Sequence, residues 1–356
     1  MTLLIRTFWR TRCFSPSVIS AVGRGGGSLP LSWVKNRTFA TTPISVMTGK
    51  KYTPRRAVMY VPGNDVRKIA KIPTLRADCI VLDCEDGVAI SKKVDARKNI
   101  RQILDNKSIP LEGSTTELTV RVNSVQSGLC QEDLECILPT ENLPSGIHLP
   151  KVDSVDELKW FLETSGKILK SSGRNQNATK INLIIFIESA QAILNLPKIC
   201  QFAWDNVDKS YFIPDALVFG SDDYCADIGA IRSKEGHELL YARQYLVMVA
   251  KAFKLQAIDI VYIDYKDIDG LRLQSISGFH MGFTGKQIIH PGQVLPCQEA
   301  FTPPPEKIEW ARELITEFEA HSKGGKGAFS FRGNMIDMPL VLQAKNIVEL
   351  AQKINK

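Results

Sequence analysis

Asp83-Cys84-Glu85-Asp86, Arg121, Lys151, Glu188, Asp222-Asp223 and Asp264 each stand at or just beyond the end of a short apolar run. Charged groups rarely occupy such positions without partners, so their convergence on one rim would mark a reaction centre. Glu188 and Asp223 come from consecutive runs and could share one hard divalent cation. Mg²⁺ favours one or two carboxylates and keeps water and substrate oxygens in its other positions. A salt bridge or a loop cap is the structural alternative for the same pair. Asp83, Glu85 and Asp86 could join as ligands or outer acceptors. Arg121, in Leu118-Thr-Val-Arg-Val-Asn123, could clamp a carboxylate or an enolate oxygen, or pair with Asp83 or Glu85. Lys151 could form a Schiff base with a carbonyl substrate, although the nearby acids would keep it protonated. His148, His280 and His290 could be bases; each is isolated in sequence, which favours a hydrogen-bonded structural role.

These positions need a scaffold that brings many strand ends together. The apolar runs Ala57–Val61, Cys79–Asp83, Leu118–Asn123, Gly146–Pro150, Asn182–Glu188, Ala216–Gly220, Asp259–Asp264 and Phe279–Thr284 predict strands. They are continuous rather than alternating, as in parallel sheets covered on both faces. Helical patterns lie between them at Asp65–Lys71, Lys92–Leu104, Val155–Ser165, Ala190–Ile199 and Glu238–Phe253. Ser154 and Glu157 have the spacing of a capping box for the third. Eight strands and their helices over about 235 residues predict an α/β fold, a (β/α)8 TIM barrel, with a doubly wound open sheet as the competitor. The active site would then lie at the C-terminal strand ends. After the barrel, Pro303-Pro304-Pro305 stops the chain, Glu306–His321 predicts a helix, and Gly324, Gly325 and Gly327 make a hinge before Phe329–Pro339. That segment could be a lid or an arm to a neighbouring subunit.

The 356 residues are 44% hydrophobic, enough for one large α/β domain or two small ones. No run of about 18 apolar residues occurs that would span a membrane. The first acidic residue is Asp65, whereas Arg6, Arg10, Arg12, Arg24, Lys35 and Arg37 lie among many Ser and Thr before it. An Arg-rich, Ser-rich, acid-free start predicts a mitochondrial transit peptide over 1–45 and residence in the matrix. Without those six cations the remainder holds 39 basic against 38 acidic residues, so the net charge of +7 is no argument for nucleic-acid binding. The eight cysteines form no C-x-x-C, which predicts buried thiols in a reducing compartment. No P-loop, dinucleotide fingerprint or G-x-S-x-G elbow is present.

Several motifs occur in order along residues 50–356: Tyr60-Val-Pro-Gly-Asn-Asp65, Val81-Leu-Asp-Cys-Glu-Asp-Gly-Val88, Val120-Arg-Val-Asn-Ser124, Leu149-Pro-Lys-Val152, Val218-Phe-Gly-Ser-Asp-Asp223, Gly282-Phe-Thr-Gly-Lys-Gln287 with Ile289-His-Pro291, and Met335-Ile-Asp-Met-Pro339. The chain resembles the citrate lyase β-subunit family of HpcH/HpaI aldolases. The resemblance implies a TIM barrel over 50–300 and a C-terminal helical extension and arm over 301–356, usually in a trimer. It implies Mg²⁺ on Glu188 and Asp223, Arg121 as the substrate and enolate clamp, and Asp337 as the catalytic acid/base in a neighbouring subunit's site. Tyr60, Arg67, Lys71 and the segment Lys92, Lys93, Val94 and Asp95 would line the CoA and acyl side, and Gln287 and Ile288 would touch substrate. Two departures stand out: Arg67 replaces a lysine, and Ser221-Asp222 replaces Gly-Glu or Ala-Glu before Asp223.

The activity implied is Mg²⁺-dependent cleavage of (3S)-citramalyl-CoA to acetyl-CoA and pyruvate, with weak malate-synthase-type and malyl-CoA thioesterase activity alongside it. The hydroxyl lies β to the thioester, so a retro-aldol break is electronically allowed. Alternatives are malyl-CoA lysis or thioester hydrolysis as the main activity, and a non-catalytic CoA-binding partner protein. The joint presence of Arg121, Glu188, Asp223 and Asp337 argues against the last, because a binding module needs no such set.

Overall fold

The computed structural model describes residues 52–109, 116–323 and 329–354. The transit-peptide expectation and the glycines at 324, 325 and 327 lie outside the described residues. Eight parallel strands close a barrel in chain order: β1 (Ala57–Pro62), β2 (Cys79–Asp83), β3 (Glu117–Arg121), β4 (Gly146–Leu149), β5 (Ile181–Ile187), β6 (Phe212–Phe219), β7 (Gln256–Asp259) and β8 (Gly285–Ile288). β1 closes the ring by pairing with β8, Met59 opposite Ile288. Between the strands run α1 (Val66–Ile69), α2 (Lys93–Asn106), α3 (Cys130–Ile137), α4 (Val155–Ser171), α5 (Ala190–Asp205), α6 (Ser221–Ile228), α7 (Leu240–Ala252) and α8 (Ile268–Met281). α4 begins with the expected capping box, Ser154 to Glu157. The TIM-barrel expectation therefore holds.

Two strand expectations do not. Asp259–Asp264 is the last residue of β7 and the loop after it, and Phe279–Thr284 is the end of α8 and its Gly282 cap. The true β8, Gly-Lys-Gln-Ile, carries no apolar run. Gly285 is there because any Cβ would overlap the Arg55 carbonyl. Lys286 is fully buried, its Nζ donating to Gln274 Oε1 at 2.6 Å and lying 3.8 Å from Asp259. Asp264 consequently ends no strand and is exposed. β6 starts earlier than expected, at Phe212, because a register shift between Leu183 and Ile184 accommodates Pro214.

Side chains alternate along each strand, so every second residue enters the barrel. At the floor, Arg55 Nε and Nη2 donate to Glu117 at 2.6 and 2.8 Å, Asn182 Nδ2 donates to Glu117 at 2.7 Å, and Arg55 also pairs with Asp215. Above it Val58, Cys79, Val81, Ile184, Ala216, Val218 and Ile258 form a buried apolar layer. Thr119 and His148 meet at 3.0 Å within the barrel. Phe186 and Tyr60 pack on this layer, each within 6.4 Å of the His148 ring. A larger core fills the space between strands and helices. Six of the seven described cysteines are buried and all seven are free.

After α9 (Val294–Ala300), α10 (Pro305–Lys323) and α11 (Met338–Ile354) pack on each other with a hairpin, β9 (Phe329–Phe331) and β10 (Asn334–Ile336). Their own small core is Ala311, Leu314, Ile336, Val341 and Ala344. Among the described residues no helix is long and apolar enough to cross a membrane.

Candidate active site

A cavity of about 670 Å³ opens at the C-terminal strand ends. Its walls include Tyr60, Lys68, Lys71, Arg121, Phe186, Glu188, Asp223, Gln287 and His290. The period-two alternation that fills the barrel delivers these groups: Tyr60 continues the inward row of Val58, Arg121 that of Thr119, and Glu188 that of Ile184 and Phe186.

Arg121 is almost buried and makes a fork–fork pair with Asp83, Nε to Oδ1 and Nη2 to Oδ2, each 2.7 Å. Its Nη1 lies 2.9 Å from Glu85. The guanidinium also stands 4.9 Å from the Tyr60 ring and 5.8 Å from that of Phe186. Of five N–H groups, three are used in these close contacts, so two remain for a ligand. Asp83 is held in turn by the backbone N–H groups of Glu85 and Gly87, both at 2.9 Å.

Glu188 is 5% exposed and accepts the backbone N–H of Lys151 at 2.6 Å. Burial, with Asp223 and Glu85 close by, pushes its carboxyl up to about 8. Its room comes from Gly220, where a Cβ would collide with Oε2. Burial also raises Glu85, against the pull of Arg121. Lys151 reaches Glu85 at 3.0 Å, Asp86 at 3.4 Å and Asp223 at 3.6 Å. Partial burial would lower its ammonium pKa, but those carboxylates outweigh it and hold the group charged. A charged amine is a poor Schiff-base nucleophile.

Gln287 bridges across the top of the barrel. It accepts from Tyr60 Oη at 3.1 Å and donates to the Phe219 carbonyl at 2.9 Å. Of the histidines, His148 is buried beneath the cavity, where burial lowers its pKa well below the usual range. His280 is exposed on α8 and does not line the cavity. His290 does line it, with Nδ1 accepting the Gly292 N–H at 3.1 Å and its ring stacked on Tyr265.

Tyr60, Lys71, Arg121, Glu188, Asp223 and Gln287 thus share one cavity, whereas Arg67, the 92–95 segment and Ile288 are not among its walls. Lys92 pairs with Asp95 at 2.9 Å, and Val94 is exposed. Lys93 is buried and donates to the carbonyls of Cys84 and Glu85, both at 2.8 Å, so it braces the acidic loop. Ile288 is fully buried in β8. Asp337 is exposed between β10 and α11 and does not line this cavity; its Oδ1 accepts the Leu340 N–H at 3.4 Å. Sequence reasoning missed Lys68, Phe186 and Gly220. For Gly220 a signal existed: a glycine joining a strand end to an acidic helix start.

Among the described residues no group of three or more His, Cys, Asp or Glu side chains is arranged as a metal cage. The linked inner cluster nevertheless holds five acids, Asp83, Glu85, Asp86, Glu188 and Asp223, against two cations, Arg121 and Lys151. Hard oxygen donors with a deficit of positive charge fit a divalent cation that keeps other positions for water and ligand.

The HpcH/HpaI aldolase/citrate lyase profile matches residues 56–291. The mitochondrial citramalyl-CoA lyase of Mus musculus is 49% identical over 334 residues, covering 94% of this chain and 97% of its own length. Its Homo sapiens counterpart is 48% identical over 342 residues, with 95% and 98% covered. The crystal structure of CitE from Mycobacterium tuberculosis in complex with magnesium, acetoacetate and coenzyme A aligns with a TM-score of 0.64 and 26% identity, covering 84% of this chain and 98% of that one.

Proposed function

The chain belongs to the HpcH/HpaI aldolase/citrate lyase family, and from that premise we propose that it is a Mg²⁺-dependent lyase cleaving (3S)-citramalyl-CoA to acetyl-CoA and pyruvate. The observation that carries this reading is the meeting of Glu188, Asp223 and Arg121 at the carboxyl end of one barrel, in a chain 49% identical to a citramalyl-CoA lyase over nearly its whole length.

Glu188 and Asp223 would hold the Mg²⁺, which supplies Lewis-acid polarisation of the substrate's hydroxyl and carboxylate oxygens. Scission of the carbon–carbon bond leaves its electron pair on the thioester fragment as an enolate. The two unpaired N–H groups of Arg121 would meet that oxygen, held by the Asp83 fork and the Tyr60 face. Asp337 would protonate the enolate carbon. As acid/base it would take the proton that leaves the hydroxyl and pass it to that carbon, so no co-reactant is required. Tyr60 and Gln287, hydrogen-bonded to each other, would shape the acyl side, and Lys71 would meet the CoA phosphates with Arg67 and Lys92 further out, while the buried Lys93 braces the acidic loop instead. Because Asp337 lies outside its own subunit's cavity, the working unit would be an oligomer, a trimer by the family pattern. The relatives named as mitochondrial support a mitochondrial location, and the acid-free N-terminus supports the matrix.

The test is a pyruvate-coupled assay of purified protein on citramalyl-CoA and malyl-CoA, with and without EDTA. Mg²⁺-dependent release of acetyl-CoA with pyruvate from citramalyl-CoA is expected, faster than release of acetyl-CoA with glyoxylate from malyl-CoA. Free thiol without an oxo-acid would make the protein a thioesterase. EDTA-resistant turnover with borohydride trapping would transfer the chemistry to Lys151.

Two further results are expected. A proton and the cation compete for Glu188, so Mg²⁺ affinity falls by about tenfold per pH unit below about 8 and levels off above it. Mg²⁺ titrations flat between pH 6 and 8 would show that burial does not hold the Glu188 carboxyl up, and unchanged Mg²⁺ affinity in Glu188→Gln would remove Glu188 from the ligand set. Gly220→Ala drives a methyl group into Glu188, weakening Mg²⁺ binding more than about tenfold while the far-ultraviolet dichroism stays unchanged. Wild-type Mg²⁺ affinity in that variant would show that Glu188 has no need of its present position.

A further inference from the structure

Arg121 and Lys151, the two cations of the cluster, have different attachments. Arg121 is locked to Asp83 and Glu85. Lys151 touches both carboxylates assigned to the cation, through different atoms: its backbone N–H donates to Glu188 at 2.6 Å, and its ammonium lies 3.6 Å from Asp223. The ammonium also lies 3.0 Å from Glu85 and 3.4 Å from Asp86, and about a third of the side chain is exposed. The residue sits at φ +53, in the left-handed region. That conformation is strained for a residue that carries a Cβ. Glycine would aim the same N–H at Glu188 with less strain, so the backbone bond gives no reason for a lysine. The ammonium and the acids it reaches do.

We propose that Lys151 is a counter-ion that competes with the divalent cation for Asp223, holding the acidic cluster together in the metal-free protein and keeping cation affinity moderate. This deepens the proposed function and rests on its assignment of Glu188 and Asp223 as the cation's holders. An ammonium beside Asp223 compensates the carboxylate before a cation arrives and repels the cation as it arrives. Removing that charge therefore strengthens binding, the opposite of what loss of a ligand or of a structural prop would do. It also leaves Glu85, Asp86 and Asp223 repelling one another when no cation is present.

The experiment is calorimetric titration of Mg²⁺ into the full-length protein and its Lys151→Met, Lys151→Gly and Lys151→Arg variants, with melting curves in EDTA and in saturating Mg²⁺. Lys151→Gly keeps the backbone donor at Glu188 and relieves the strain; Lys151→Met keeps the side-chain bulk. Both are expected to bind Mg²⁺ about tenfold tighter than the wild type, and Lys151→Arg within about twofold of it. In EDTA Lys151→Met melts below the wild type, and saturating Mg²⁺ closes the gap. Unchanged or weaker Mg²⁺ binding in both neutral variants overturns the proposal. Tightening in Lys151→Gly alone traces to backbone geometry, and in Lys151→Met alone to the packing of that side chain; either overturns it as well. An Asp223→Asn control separates the levels: if it binds Mg²⁺ like the wild type, the cation-site assignment itself fails and the competition with it.

Discussion

Mixing inactive Asp337→Ala protein with inactive Glu188→Gln protein is expected to restore lyase turnover. Asp337 sits exposed on the β10–α11 junction, outside its own subunit's cavity walls, while Glu188 is buried at the strand ends. If the carboxylate serves a neighbour's cavity, the two lesions complement: an Asp337→Ala subunit keeps its cation site and borrows the intact Asp337 of a Glu188→Gln subunit. Alone, Asp337→Ala should lose about 10²- to 10⁴-fold in turnover, the range for a positioned general acid or base. Its Mg²⁺ affinity should match the wild type. After subunit exchange at equal ratio in a cyclic assembly, roughly a quarter of sites combine both intact groups. A fully active Asp337→Ala protein refutes the role outright. A mixture that stays dead after verified exchange confines Asp337 to its own subunit.

Arg121 carries the other large effect, and two variants separate its duties. Arg121→Met leaves Asp83, 1% exposed, without its charge partner, and Glu85 likewise. Breaking a buried pair from one side costs about 3–5 kcal/mol. In a domain of this size that lowers the melting temperature by roughly 2–4 °C per kcal/mol. Arg121→Lys keeps the charge and most of the stability but loses the planar fork, and with it the two N–H groups left for an enolate. Its turnover should fall about 10²- to 10³-fold, as when an oxyanion donor is removed. Near-wild-type turnover in Arg121→Lys with a large melting shift in Arg121→Met would reduce Arg121 to a structural ion pair.

The first six strands were legible because their residues face the barrel on one side and helices on the other, which leaves continuous apolar runs such as Leu183–Ile187. β8 was not, because close approach to Arg55 demands a glycine and a buried ion network supplies its lysine. The apolar residues just after β7 misled for the converse reason: Ile260 and Tyr262 are buried in a loop, without strand pairing. Carboxylates at strand ends could be read as a set, since apolar runs stop where they begin. Lys151 could be read only in part: the nearby acids were expected to hold it charged, but its positive φ and which acids it reaches are settled in space. Asp337 carried no spacing signal at all and entered only through resemblance.

The stoppered floor of the barrel makes the reaction chamber a cul-de-sac. Arg55 with Glu117 and Asp215 blocks the far exit, and the His148, Tyr60 and Phe186 rings fix how deep a molecule can sink. Among the described residues the floor is closed, so substrate, both product fragments and any visiting side chain from a neighbour come and go at the rim. An acyl group with extra carbons cannot lengthen downward and has to crowd the rim instead, so tolerance for longer substrates is governed by traffic there.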